Sequence, residues 1–391
     1  MHHSRLRRSW AAPAVLSLTL LVAAGGTAQA LTYGPPVSVV SGPDIAFGST
    51  ELAAGGGVAH AEYETVDADM ALTGTFYKRS TDGGASWTDQ TELVDAAHAQ
   101  NTDTWGLAAS GQLVVAAFTG HEPGNVQRLF LRRSTDAGAH WSGALTVTSV
   151  TSASHVLGFV AVAVSGQLVV VAWDDLRTHT VRLRRSVDGG TSFKPAVKIG
   201  AYQGEYASPH VAVSGARVYV TWLAQNPAGE AQIWSGLKLR RSADSGATFK
   251  AAQTLFAGRL GDSETPLAAS GKRFVALIQM HNTGSFKVLR SANGGATVSA
   301  TTIVPPDPNP GGRSPGGIAI DGLQVRAAWD EHVRSFTRSS ADGGATWADA
   351  DEPFSSESFA GYVRIALLGA ATIVIAQTSN DTTDIVKSRA T

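Results

Sequence analysis

Cysteine is missing from this chain altogether. Disulfides, thiolate catalysis and cysteine-zinc centres are thereby excluded, and the fold has to be held by its core. Methionine is scarce, at 3 of 391 residues. An excess of one charge is also missing, since 31 Lys and Arg stand against 32 Asp and Glu. Such a surface gives no footing to nucleic acid or to an anionic membrane. After the first 30 residues no apolar run is long enough to cross a bilayer. Nor is there a 3.6-residue periodicity, which argues against helical solenoids.

The N-terminus has what an export signal needs. Arg5, Arg7 and Arg8 precede an apolar stretch over residues 11–24, and Ala28-Gln29-Ala30 is a small-x-small cleavage site. Residues 1–30 therefore read as a secretory signal peptide, with Leu31 the first mature residue. No cysteine follows the cleavage site to take a lipid anchor. The mature protein, 31–391, has 28 basic and 32 acidic residues, a net charge of −4. The expected location is extracellular or periplasmic.

One short phrase recurs through the rest. Ser-x-Asp-x-Gly-x-x-aromatic runs from Ser80 to Trp87, Ser134 to Trp141, Ser186 to Phe193, Ser242 to Phe249 and Ser340 to Trp347. A degenerate copy runs from Ser291 to Val298. The leading serines are 54, 52, 56, 49 and 49 residues apart. Each period also holds alternating runs such as 209–214, 217–222 and 236–241, with a fourth near 252–256. Four short strands in about 50 residues are the signature of a β-propeller blade.

After the last boxed turn, residues 362–367, 372–376 and 384–388 supply three further strands in phase. Residues 36–40 resemble a fourth strand with no first three. The expectation is an all-β, seven-bladed β-propeller of four-stranded antiparallel blades. Its ring is closed by the N-terminal strand in the last blade, which leaves no open edge. Six blades are the alternative. The proline-rich stretch 305–312 reads as a loop, so 31–391 is one domain. Arginine pairs before the boxes, such as Arg132-Arg133 and Arg240-Arg241, read as edge and surface charge.

The phrase resembles the Asp-box, or bacterial neuraminidase repeat, of sialidase-like propellers, with six copies in phase. In the box the carboxylate accepts turn amides, the glycine takes a backbone form closed to other residues, and the aromatic packs beneath. Asp82, Asp136, Asp188, Asp244, Asn293 and Asp342 are accordingly structural. The fifth turn, with Asn293 and Val298, is expected to be the loosest. The resemblance also implies that the boxes face away from any active site. Chemistry then belongs to the second-to-third loops and the connections between blades.

A sialidase-like site would use Tyr362 as nucleophile, Glu62 as its activator, Asp67 or Asp69 as acid/base, and Arg313 and Arg177 on a substrate carboxylate. Trp105, Tyr206 and Trp234 would stack on sugar faces. The family's leading arginine is absent from 48–52, and residues 61–64 keep a glutamate without an arginine. The reading is therefore a secreted propeller that binds a glycan or another extracellular ligand. Its alternatives are a sialidase-type hydrolase with a tyrosine nucleophile and a protein-interaction scaffold. No cofactor and no metal are expected; calcium ordering of the acidic loop 381–384 has no support in the residue spacing.

Overall fold

Each repeat folds into an antiparallel sheet whose strands run in chain order from the axis to the rim. The computed structural model describes residues 28–41, 45–67, 72–94, 105–152, 156–225, 234–262, 264–307, 311–355, 359–379 and 384–391. Residues 1–27 of the expected signal peptide and 381–383 of the acidic loop lie outside them.

Blade one is Ile45–Gly55, Val58–Val66, Leu72–Ser80 and Thr91–Val94. Blade two is Trp105–Ser110, Leu113–Glu122, Val126–Ser134 and Leu145–Thr151. Blade three is Leu157–Ser165, Leu168–Asp175, Thr180–Ser186 and Val197–Ala201. Blade four is His210–Ser214, Arg217–Gln225, Trp234–Ser242 and Gln253–Leu260. Blade five is Leu267–Ser270, Arg273–Gln279, Phe286–Ser291 and Ser299–Val304. The closing blade takes Phe359–Leu368, Ala371–Ser379 and Asp384–Ala390 from the C-terminus and Val37–Ser41 from the N-terminus, with Val37 opposite Ser388.

These are six four-stranded blades, and the expectation of seven such blades is corrected. The sixth boxed repeat falls short of a full blade. Its strands Arg313–Asp321, Gln324–Glu331 and Arg334–Ser340 make a sheet of three. Where a fourth strand would pair there is a single bridge, Thr337 to Asp351. The N-terminal segment lies against this rim instead. The Leu31 amide donates to Asp351 Oδ2 at 2.6 Å, and the Tyr33 hydroxyl meets Thr337 Oγ1 at 2.8 Å. The inner strands follow one another round the axis from blade one to blade five, then through the three-stranded sheet and the closing blade back to blade one.

Second strands are buried on both faces because each is flanked by neighbouring sheets; all eight residues of Leu168–Asp175 are buried. Between blades two and three, Leu131 and Val147 pack against Val169, Val171 and Trp173. Burying one such aliphatic side chain is worth about 1.5–3 kcal/mol.

Polar ties repeat from blade to blade. The serine ending one inner strand accepts the glycine amide of the next blade's turn: Ser110 from Gly166, Ser165 from Gly215, Ser214 from Gly271 and Ser270 from Gly322, at 2.7 to 3.0 Å. The arginine pairs are part of this stitching, which corrects their reading as surface charge. Arg132 Nη1 donates back to Leu93 O at 2.6 Å, on the rim of blade one. Arg133 Nη1 donates forward to Gly189 O at 3.4 Å, in the boxed turn of blade three. Arg240 and Arg241 repeat the pattern onto Ile199 O and Gly294 O.

Candidate functional site at the axis

Inner strands end at the serine-glycine turns, which share a face with the boxed turns, as the bonds Gly189 N to Gln167 O and Ser245 N to Ala216 O show. Their opening residues therefore converge on the axis at the opposite face. There they enclose a cavity of about 280 Å³ whose lining includes Glu51, Phe159, Ser208, His210, Glu264 and Arg364.

The charged groups of this cavity are interdependent. Arg364 Nε lies 3.5 Å from Glu51 Oε1. Burial works against the Arg364 charge, but Glu51, Glu264 and Asp330 outweigh it and raise its pKa. Burial likewise raises Glu51, opposed by Arg364 and reinforced by Glu264. His210 Nε2 accepts the Thr265 amide at 3.2 Å, which puts the ring proton on Nδ1. Burial holds His210 below the ordinary imidazole range, with Glu264 Oε2 3.9 Å away pulling the other way. The site thus offers a guanidinium, two glutamates and a neutral imidazole around one axis.

Glu62 stands directly across the strand pair from Glu51. It is 1% exposed, and neither carboxylate oxygen has a hydrogen-bond partner. Burial, then the neighbouring Glu51 and Glu64, push its pKa well above the usual carboxylate range. Like charges directly opposite one another destabilise a sheet. Here Arg364 neutralises one of the pair and protonation the other.

Tyr362 sits at an irregularity of the closing blade's inner strand, with φ of 55° and 37% exposure. That conformation is rare for a bulky residue. Asp330 of the three-stranded sheet supports it, accepting the Val363 amide at 3.2 Å and the Ser335 hydroxyl at 2.7 Å. The same device recurs between blades three and four. Asp174 Oδ2 accepts the Ala207 amide at 2.8 Å, beside Ser208 with φ of 41°. Burial raises both aspartates to about 6. The Tyr362 pKa is raised by burial and then by Asp330. Glu62 makes no hydrogen bond to Tyr362.

The other candidates are dispersed. The Arg313 guanidinium is held by Glu331 at 2.5 Å and Asp307 at 3.1 Å, with its side chain 7% exposed. Ligand atoms of Asp307, Glu331 and His332 come within 4.8 Å of one another, as a metal would need. Arg313 already supplies the positive charge there. Arg177 is in an exposed turn, and Asp67 is exposed at the end of blade one's second strand. Tyr206 packs against Phe159 with ring centroids 5.1 Å apart, one layer behind the cavity wall. Asp69 and the side chains of Trp105 and Trp234 lie outside the described residues.

Sequence reasoning does not single out Glu51, His210 or Arg364. The available signal was a charged or imidazole side chain within a strand that opens a blade.

The boxed turns are uniform. Ser80 Oγ donates to Asp82 Oδ1 and accepts the Gly84 amide, both at 2.7 Å, while Asp82 also takes the Ser86 amide at 2.9 Å. Asn293 keeps the arrangement, with Ser291 and the Thr297 amide at 3.0 and 2.9 Å from Oδ1.

A ring of antiparallel blades stitched by boxed turns defines a β-propeller of the sialidase-like type. The chain belongs to the BNR repeat-like family, whose domain model matches residues 63–288, more than half of its length. No curated protein matches it in sequence. Among solved structures it resembles an α-L-arabinanase of Penicillium chrysogenum complexed with arabinobiose, at 14% identity and a TM-score of 0.51, over 92% of this chain and 98% of that one. It also resembles a Hadza microbial sialidase, at 12% identity and 0.50, over 87% and 64% of the two chains. The polysaccharide lyase Uly1 aligns at 10% identity and 0.56, over 90% and 91%. At such identities the likeness is one of fold.

Proposed function

We propose that this chain is an exported glycan-binding propeller that takes its ligand at the axial cavity. The observation that carries the reading is the cluster of Arg364, Glu51, Glu264 and neutral His210 around one half-open cavity. Guanidinium and carboxylates hydrogen-bond sugar hydroxyls or a sugar carboxylate, and Phe159 offers an apolar wall. The carbohydrate-processing proteins that share the fold agree with this reading.

Binding is favoured over sialidase turnover because Arg313 and Arg177 are not brought to the axial cavity, whose described lining holds Arg364 as its guanidinium. Arg313 is engaged by two acids, and Arg177 lies in an exposed turn. A second reading, glycoside hydrolysis, rests on Glu51 and Glu264 sharing one cavity, as paired carboxylates do in hydrolases. Export rests on the leader 1–30. Cleavage after Ala30 would turn the Leu31 amide, now on Asp351 Oδ2, into an ammonium beside the same carboxylate. No helix among the described residues is long and apolar enough to cross a membrane.

The test is a glycan array followed by calorimetry on the mature protein, Arg364→Met and Glu264→Gln. Binding to at least one glycan, weakened tenfold or more by each variant, is expected. No glycan bound, or binding indifferent to both variants, removes the proposal. Fluorogenic sialosides and arabinosides assay the second reading. Turnover lost in Glu264→Gln but kept in Tyr362→Phe assigns hydrolysis to the axial glutamates; loss in Tyr362→Phe assigns it to the tyrosine.

A further inference from the structure

The boxed face has a cavity of its own, between the turns of blades four and five. It encloses about 650 Å³, and Arg217, Arg241, Lys250 and Lys272 all line it. Among the described residues none of these four cations pairs with a carboxylate. The one acid in the lining, Asp244, is already taken by the Ser242 hydroxyl, the Thr248 amide and the Thr248 hydroxyl at 2.6 to 2.9 Å. In a chain whose charges nearly cancel, this is a local excess.

Two sequence departures create it. Blades two and three turn through Ser-Gly-Gln-Leu, ending at Leu113 and Leu168. Blade four has Arg217 at the leucine position, and blade five has Lys272 at the glutamine position. The fifth boxed turn also lacks its aromatic. In the sixth turn, a methyl placed on Gly344 would meet the Trp347 ring and the Arg290 stem, each at 3.5 Å. In the fifth, a methyl on Gly295 would meet the Arg241 guanidinium itself at 3.0 Å, and one on Gly294 would lie 3.6 Å from Arg217 Nη1. Arg241, which also donates to Gly294 O, and Arg217 therefore flank consecutive glycines of a turn that packs on Leu239 and Phe274.

We propose that this cavity is a second binding site, for an anionic sugar residue carrying a sulfate or carboxylate. Paired guanidiniums match such oxyanions with planar forks, and the lysines add point charges. The cations surround one compact hollow rather than forming a stripe, as nucleic-acid backbones require. The site is on the opposite face from the axial cavity and does not depend on what binds there.

The test is calorimetry at low salt with dextran sulfate, polygalacturonate, neutral dextran and duplex DNA. Arg217→Leu combined with Lys272→Gln copies blade three and so respects the fold; if its melting point falls, Lys272→Glu alone serves. One of the two anionic glycans should bind and lose at least tenfold in the variant; which one identifies the anion. Failure of both glycans to bind, undiminished binding by the variant, or DNA bound as tightly would each overturn the proposal.

Discussion

At the residue scale, Glu62 is the most costly side chain near the axis. A buried polar group left unsatisfied costs about 1–3 kcal/mol. Glu62→Met, similar in length and without polar atoms, should stabilise the fold by about 1–3 kcal/mol in urea unfolding. If glycan affinity falls while stability rises, Glu62 is kept for the site; unchanged stability would show that its carboxyl is satisfied after all. Little of this was legible in the sequence. The resemblance implies Glu62 as the activator of Tyr362, yet it faces Glu51 across the sheet and makes no bond to the tyrosine. Glu51 and Arg364 are more than 300 residues apart in sequence, and only closure of the ring makes them neighbours. Short-range spacing, which serves for metal ligands and turns, contains no such information.

At the element scale, the boxed turn was legible because all of its physics is local. Serine, carboxylate and glycine lie within five residues and satisfy one another, so the pattern survives as a string. The Arg-Arg pair before it reads as edge and surface charge because its partners belong to other blades: Arg132 and Arg133 grip the backbones on either side. The fifth turn tests how much the carboxylate matters. Asn293 retains the bonds of its counterparts but without charge, and charge-assisted bonds are roughly twice as strong. Asn293→Asp should therefore stabilise the protein by about 0.5–1.5 kcal/mol, read as a shift in denaturation midpoint. Native-state hydrogen exchange should show that turn tightening locally; a variant no more protected than the parent would mean the amide suffices.

At the scale of the whole molecule, the pH profile follows from buried carboxyls. Burial holds Glu62 well above its usual range and Glu64 at about 8. Both bind protons more tightly when folded, so their contribution is complete in acid and is lost as pH rises, for Glu64 toward about 8. Asp174 and Asp330, at about 6, have lost theirs by neutrality. Histidines act in the opposite sense: burial lowers His60 to about 4, so its contribution is lost as pH falls below about 6.5. Between pH 6.5 and 8 the loss from the glutamates continues, and the melting temperature should fall across that window. Glu62→Gln with Glu64→Gln should flatten the slope; an unchanged slope would assign it to other groups. The repeat phase made the ring legible, but not the shortfall of its sixth boxed repeat, whose rim is met by Leu31 and Tyr33 from the far end of the chain.

Pairing of Val37 with Ser388 has one more consequence. The first and last described strands lie side by side in one sheet, so the order in which the blades are synthesised is separable from their order in space. A short linker from Thr391 back to the residues ahead of Val37 makes the backbone a circle. A new opening in the proline-rich connection 305–312 would then leave every sheet its own strands, and circular permutants become a way to move the termini from the boxed face to the opposite one.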